Sequence, residues 1–537
     1  MNPRLAILAG ALGAFVLWDP AVRAAEVYPG CAVPAAKFNH VWYVDPVNGK
    51  TQADGGDGSR TAPWSSLSAI VSSTIQPGYA RPLLSSIPYG HRQPLPGTTQ
   101  HGYADETGAL VHPGDEILLM TGQYGDVSIG AYAVRTTNSD FVTIAAAPGQ
   151  TPVLATLKLS ATNMWRFQHI SVQSIGKNPA IFVSDQGRLT TSDIIFESIV
   201  VGSPESVDGW TQAQWIADAH GNGFQAVSSP NGLNTECVSF TGGKIYGVRF
   251  GAGLLAHKSV FSNNTIDHFG DDGLDYAAND MVISGNYIHD NEDVGDGNHN
   301  DCMQGFPGPL DKATAPINPN GVPFTAYSNI TIKDNRCIRQ TDPNLKFPVY
   351  LQGIDAFDSD WTNLTVVNNV IVTSACWGIG YGSVHGGKII NNTVLDDGSD
   401  IGTKNRNGGI MCRPAIIVGD KTHQGLQSND VVIRNNLANA IYVAPKMTID
   451  HNICLAIKGG CRSKPGDYRE HNTNDPRGAE GEFVTFDPAK LMFDLRLKPG
   501  ALAIGAGNPD GAPQTDITGA PRGMPVDIGA YRYDHGK

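Results

Sequence analysis

Over much of the chain, apolar and polar residues alternate for four to six positions until a bend rich in Asn and Gly interrupts them. Val260-Phe261-Ser262 runs into Asn263-Asn264, Val282-Ile283-Ser284 into Gly285-Asn286, and Ile330-Thr331-Ile332 into Lys333-Asp334-Asn335. The same ending recurs at Asn369, Asn392, Asn436 and Asn452, and the steps between these asparagines are 22, 49, 34, 23, 44 and 16 residues. Steps of 22 and 23, with 44 as a double step, describe one repeated unit with loop insertions. Alternation with period two predicts strands, and no helical period intervenes. A unit of this length holds three short strands and three turns. The asparagine falls at a bend, where its side chain bonds neighbouring backbone or its own backbone turns left-handed.

A second ladder runs in parallel. Its rungs are Asn222-Gly223-Phe224-Gln225, Tyr246-Gly247-Val248-Arg249, Asp272-Gly273-Leu274-Asp275, Asp301-Cys302-Met303-Gln304, Gln352-Gly353-Ile354-Asp355 and Trp377-Gly378-Ile379-Gly380. The long step between the fourth and fifth contains a Pro-rich loop, Phe306 to Phe324. The third residue of each rung is apolar and is expected inside, with its neighbours outside. The outer wall would then carry a stack of small residues beside a polar stack of Gln225, Arg249, Asp275, Gln304 and Asp355. A bare shelf flanked by hydrogen-bonding groups suits a long sugar chain.

These patterns predict an all-β chain forming a single parallel β-helix with N- and C-terminal caps, right-handed by resemblance to known examples of the fold. A propeller would need about 40 residues per blade. The segment from His40 to Leu67 resembles the opening of extracellular β-helix proteins, and Val526-Asp527-Ile528-Gly529-Ala530-Tyr531 resembles their closing segment. The expected layout is a signal peptide over 1–24, an N-terminal cap and lead-in over 25–116, the β-helix over 117–460 and a C-terminal cap over 461–537.

Composition narrows the function. The formal charge is −13, only 17% of residues are charged, and Gly and Pro number 62 and 34. A coiled coil or helix bundle is excluded, and so is a nucleic-acid partner, which would need clustered Lys and Arg. The N-terminus joins Arg4 to an apolar run from Leu5 to Trp18 and small residues before Ala25, the layout of a secretory leader too short to span a bilayer. The mature chain is therefore expected to be secreted or periplasmic, without membrane insertion, and monomeric. Eight cysteines allow up to four disulfides, with Cys454 and Cys461 as a local pair.

Acidic residues cluster on three neighbouring rungs: Asp271-Asp272-Gly273-Leu274-Asp275, His299-Asn300-Asp301-Cys302-Met303-Gln304, and Gln352-Gly353-Ile354-Asp355. Asp271-Asp272-Gly273-Leu274-Asp275 resembles the calcium-binding Asp-Asp-Gly-x-Asp run of pectate-lyase-type β-helix enzymes. The resemblance implies Ca²⁺ held by Asp271, Asp272 and Asp275, and an acidic polysaccharide as substrate. Where that family carries a catalytic lysine this chain has Gln304, so His299 with Asp301 becomes the expected base, imidazole titrating near neutrality. Asp275 joins them as a catalytic group, and Arg249 is expected to bind the uronate carboxylate. Gln304, Gln352, Asp355, Tyr246 and Trp377 are the expected substrate contacts.

The leading expectation is a polysaccharide lyase acting by β-elimination. A glycoside hydrolase using Asp275 with Asp355, or Asp272 with Asp301, is the alternative, and a C5-epimerase would use the same groups. A non-catalytic adhesin is the alternative from another class.

Overall fold

The computed structural model describes residues 26–71, 93–94, 101–102, 110–130, 138–174, 179–185, 190–203, 206–218, 222–228, 235–295, 297–308, 315–401, 412–421, 425–455, 461–462 and 468–534. The expected leader, 1–24, lies outside them.

Three parallel sheets of 14, 13 and 12 strands run along the molecule, and in each the neighbours are every third strand of the chain. The backbone thus visits the three sheets in turn and climbs one rung per circuit. This is the expected parallel β-helix, reached because no single strand is long enough to bury its apolar face alone. The first sheet opens with Val41–Val44 and closes with Tyr468–Glu470.

The asparagine repeat explains how the corners hold. Asn264 donates from Nδ2 to Asn286 Oδ1 at 3.1 Å and to the Phe240 carbonyl at 2.9 Å. The chain of amides continues from Asn286 to Asn335, Asn369, Asn392, Asn436, Asn452 and Asn472, each step 2.9–3.0 Å. From Asn264 to Asn452 these side chains are no more than 1% exposed. A buried amide is tolerable only when paired, and here each rung pairs the next. The preceding positions Asn263, Asp334, Asn368, Asn391 and Asn435 take φ of 55–59°, which Asn and Asp accept more readily than most residues.

Inside, one continuous apolar core extends from Val44 to Cys454. Phe167, Phe196, Phe240 and Phe261 occupy matching positions on successive rungs, with ring centroids 5.2–5.7 Å apart. At the N-terminal end, Trp42 stacks on Trp64 at 5.1 Å and the helix Leu67–Val71 buries Leu67, Ile70 and Val71. At the other end, the antiparallel pair Phe483–Asp487 and Met492–Leu497 packs against Val370, Val372 and Leu395 of the second sheet. That cap covers part of the second sheet. Disulfides join Cys31 to Cys237, Cys302 to Cys337 and Cys376 to Cys412. Cys454 is disulfide-bonded too, while the side chain of Cys461 lies outside the described residues.

Two details of the second ladder need correction. The strand beside Asn222–Val227 is Phe250–Leu255, so Gly253, not Arg249, stands between Gln225 and Asp275. Tyr246-Gly247-Val248 belongs to the second sheet, where Tyr246 pairs with Asp267. The small-residue stack is also not an outer shelf. A Cβ on Gly223 would meet Ile245 at 2.7 Å, one on Gly273 would meet Ile288 at 2.6 Å, and one on Gly353 would meet Ile371 at 2.9 Å. These glycines sit at an inner corner, where the absence of a side chain relieves crowding against aliphatic groups.

Candidate functional site

Four strands of the third sheet build the site: Leu274–Tyr276, Asp301–Gly305, Gln352–Ala356 and Trp377–Gly382. Register places Asp275, Gln304, Asp355 and Gly380 side by side in one column. A second column carries Asp301 beside Gln352, with Asp272 bound from the preceding rung through the Asp301 backbone N–H to Asp272 Oδ1 at 2.8 Å. Rungs lie about 4.8 Å apart, so residues dozens of positions distant in sequence become neighbours.

His299 lies in the loop leading into the strand Asp301–Gly305. Its Nδ1 bonds Asp301 Oδ2 at 2.7 Å, and Gln304 Nε2 donates to the same oxygen at 3.1 Å. Asp301 is fully buried while half of the His299 side chain is exposed. Donation through Nδ1 leaves Nε2 as the basic nitrogen of the neutral ring. The bond to Asp301 holds the imidazole pKa above its ordinary value, against the opposing pull of burial. Asn300 anchors the loop by donating to the Gly270 carbonyl at 2.8 Å.

The carboxylates around this dyad are perturbed together. Burial, reinforced by the charges of Asp301 and Asp271, pushes Asp275 up to about 8. Burial and the charges of Asp275 and Asp301 hold Asp272 well above the carboxylate range. Burial and Asp301 do the same to Asp355, which shares a hydrogen bond with Asp301. Asp275 Oδ1, Asp301 Oδ1 and Asp355 Oδ2 are buried without a hydrogen-bond partner. Carboxyls raised in this way beside a groove are candidates for proton donors.

An open groove of about 320 Å³ runs over these rungs, lined by His299, Gln304, Gln352, Asp355, Tyr350 and Trp377 among others. The structure therefore brings together His299, Asp301, Gln304, Asp275, Gln352, Asp355 and Trp377 from among the expected site residues. It does not bring Tyr246, whose hydroxyl donates to the Ser203 carbonyl at 2.9 Å from the second sheet. Arg249 lies off the column, with its Nε 2.5 Å from Asp271 Oδ2. Sequence patterns missed Tyr350 and Phe357, which line the groove from bends outside the repeat.

Of the three expected calcium ligands, Asp271 is paired with Arg249, and its charge still reaches Asp272 and Asp275. Among the described residues the group placed to hold a metal ion here is Asp272, His299 and Asp301, with ligand atoms within 4.8 Å of one another. The unpartnered oxygens of Asp275, Asp301 and Asp355 add hard donors of the kind calcium takes.

The fold and its sequence define a right-handed parallel β-helix protein: residues 158–394 match the family described as the right handed beta helix region. No curated protein matches the chain. Among solved structures, a pectate lyase is similar at 14% identity over 94% of this chain and 98% of its own, with a TM-score of 0.42. An α-1,3-glucanase from Streptomyces thermodiastaticus is similar at 12% identity over 68% of this chain and 63% of its own, TM-score 0.35. A surface adhesin of Streptococcus pneumoniae is similar at 10% identity over 68% and 80%, TM-score 0.32. No helix among the described residues is long and apolar enough to cross a membrane.

Proposed function

We propose that this is a secreted enzyme that cleaves a polysaccharide laid along the third sheet, with the His299–Asp301 dyad as base and Asp355 as acid. The observation that carries it is an imidazole held by a buried carboxylate on one rung, beside a carboxyl on the next whose pKa burial and the Asp301 charge raise well above the ordinary carboxylate range. In glycosidic cleavage a base and an acid so placed each contribute about 10²–10⁴-fold to the rate.

The finer assignment is β-elimination on an acidic polysaccharide. His299 Nε2 takes the C5 proton, the electron pair forms the C4=C5 double bond, and the C4–O bond breaks. Asp355 gives its proton to the leaving oxygen. Neutral Asp275 and the amides of Gln304 and Gln352 then face the uronate without repelling it. Where calcium is bound instead, Asp272, Asp301 and an ionised Asp275 would hold it, and its charge would take over the neutralisation of the substrate carboxylate. An overall charge of −13 opposes an anionic polymer at long range, so this local neutralisation is required.

Hydrolysis is the second reading, favoured by the column geometry. Asp275 and Asp355 flank Gln304 two rungs apart, about 9.6 Å in strand spacing, near the upper end of the roughly 6.5–9.5 Å separation of an inverting pair. The test is incubation with pectic, alginate and neutral polysaccharides, with and without chelator, reading ultraviolet absorbance beside new reducing ends. An absorbing unsaturated product supports elimination. Reducing ends without absorbance replace the lyase with a hydrolase. Binding without product from any polymer leaves an adhesin and defeats the proposal.

A further inference from the structure

The outward column of the third sheet changes character beyond Asp355. Its next member is Gly380, and the space a side chain would fill is taken by the ring of Phe357. A Cβ on Gly380 would stand 2.8 Å from Phe357 Cζ, and one on Gly382 would stand 3.3 Å from its Cδ1. The ring is therefore laid over the bare backbone of the neighbouring rung, two residues after Asp355. Trp377 lies beside it, ring centroids 4.6 Å apart at 49°. Both rings are only partly buried and line the groove, as does Tyr350. In a core, such rings would be covered; here they stand one rung from the proposed acid.

We infer that Phe357, cradled by Gly380 and Gly382 and flanked by Trp377, forms a stacking subsite for one pyranose ring of the polysaccharide, next to the bond to be cleaved. A pyranose presents a face of C–H groups that buries well against aromatic carbon, while its rim hydroxyls need polar partners. The groove supplies such partners in Gln352 and His299. The occupant is thus a sugar ring rather than a wholly apolar ligand. The inference rests on the proposed glycan cleavage for its occupant.

The test measures affinity and turnover separately. Electrophoretic retardation is followed in gels cast with polygalacturonate, alginate or xylan, using the full chain and its Asp355→Asn, Phe357→Ala, Phe357→Leu, Gly380→Ala and Gly419→Ala variants. Asp355→Asn slows turnover, so that retardation in its background reads binding apart from cleavage. Phe357→Ala and Phe357→Leu are expected to weaken binding about tenfold, the leucine showing that a ring face rather than apolar volume is needed. Gly380→Ala should reproduce that loss by lifting the ring. Gly419, one rung on from Gly382, has open space around a Cβ, so Gly419→Ala should bind normally. Unchanged affinity in both Phe357 variants, or no retardation of the parent in any gel, overturns the subsite. Retardation that depends on Phe357 without turnover by the parent overturns the cleavage and leaves the subsite standing.

Discussion

The perturbed carboxyls make a stability prediction that does not depend on knowing the substrate. Asp275 is raised to about 8 from an ordinary 3.8. In the unfolded chain it releases its proton above about pH 4, while the folded chain keeps it until about pH 8. The cost to stability is therefore absent below pH 4, grows through the interval and is complete above about pH 8. Raising a carboxyl pKa by one pH unit costs about 1.4 kcal/mol once the group is ionised, which sets a ceiling of roughly 6 kcal/mol here. Removing the charge should recover part of it, the remainder being shared with Asp272, Asp301 and Asp355. Asp275→Asn is thus expected to gain stability over the parent by at least about 1 kcal/mol between about pH 5 and pH 8.5. The assay is urea unfolding at several pH values in the presence of chelator, comparing midpoints at constant slope. A variant that is uniformly less stable, or whose difference does not change with pH, would refute the reasoning. The same variant should lose turnover, since a group held at such a cost is kept for function.

Further outcomes follow from the same geometry. The pH profile of turnover should be bell-shaped, with its acid limb above the ordinary imidazole value because His299 is raised and its alkaline limb set by loss of the Asp355 proton; an acid limb below about pH 6 would exclude His299 as base. His299→Gln should lower kcat by about 10²–10⁴ with a smaller change in KM, read by steady-state kinetics. Asn369 bridges Asn335 and Asn392 in the buried ladder, so Asn369→Ala should cost about 2–4 kcal/mol by stranding buried polar groups on two rungs; a loss under about 0.5 kcal/mol would show that the ladder is not cooperative. If calcium occupies the carboxylate cluster, addition of the ion should raise the unfolding midpoint of the parent more than that of Asp275→Asn; equal shifts would place the ion elsewhere.

Much of this was legible in the sequence because a coil repeat turns spacing into position. The asparagines at steps of 22 and 23 became one hydrogen-bonded ladder, and Asp275, Gln304 and Asp355 became column neighbours. The failures have a common physical cause. A strand pattern of period two fixes which face a residue takes but not which circuit or corner it occupies. Tyr246-Gly247-Val248-Arg249 and Phe250-Gly251-Ala252-Gly253 carry the same small-then-apolar signature four residues apart, and the bend between them decides which pairs with Asp275. The glycine stack misled for a related reason: a corner residue is small whether it faces solvent or core. Phe357 was illegible because its position depends on Gly380 and Gly382 from the following rung, a contact no local pattern records.

The proposed acid offers the most direct test of catalysis on these rungs. Asp355→Asn keeps the shape and removes the proton supply, so it should be secreted, retain the parent's unfolding midpoint or exceed it, still bind the polymer, and turn it over at least about a hundredfold more slowly. Near-parental turnover with intact binding would show that bond cleavage takes place somewhere other than on this wall of the coil.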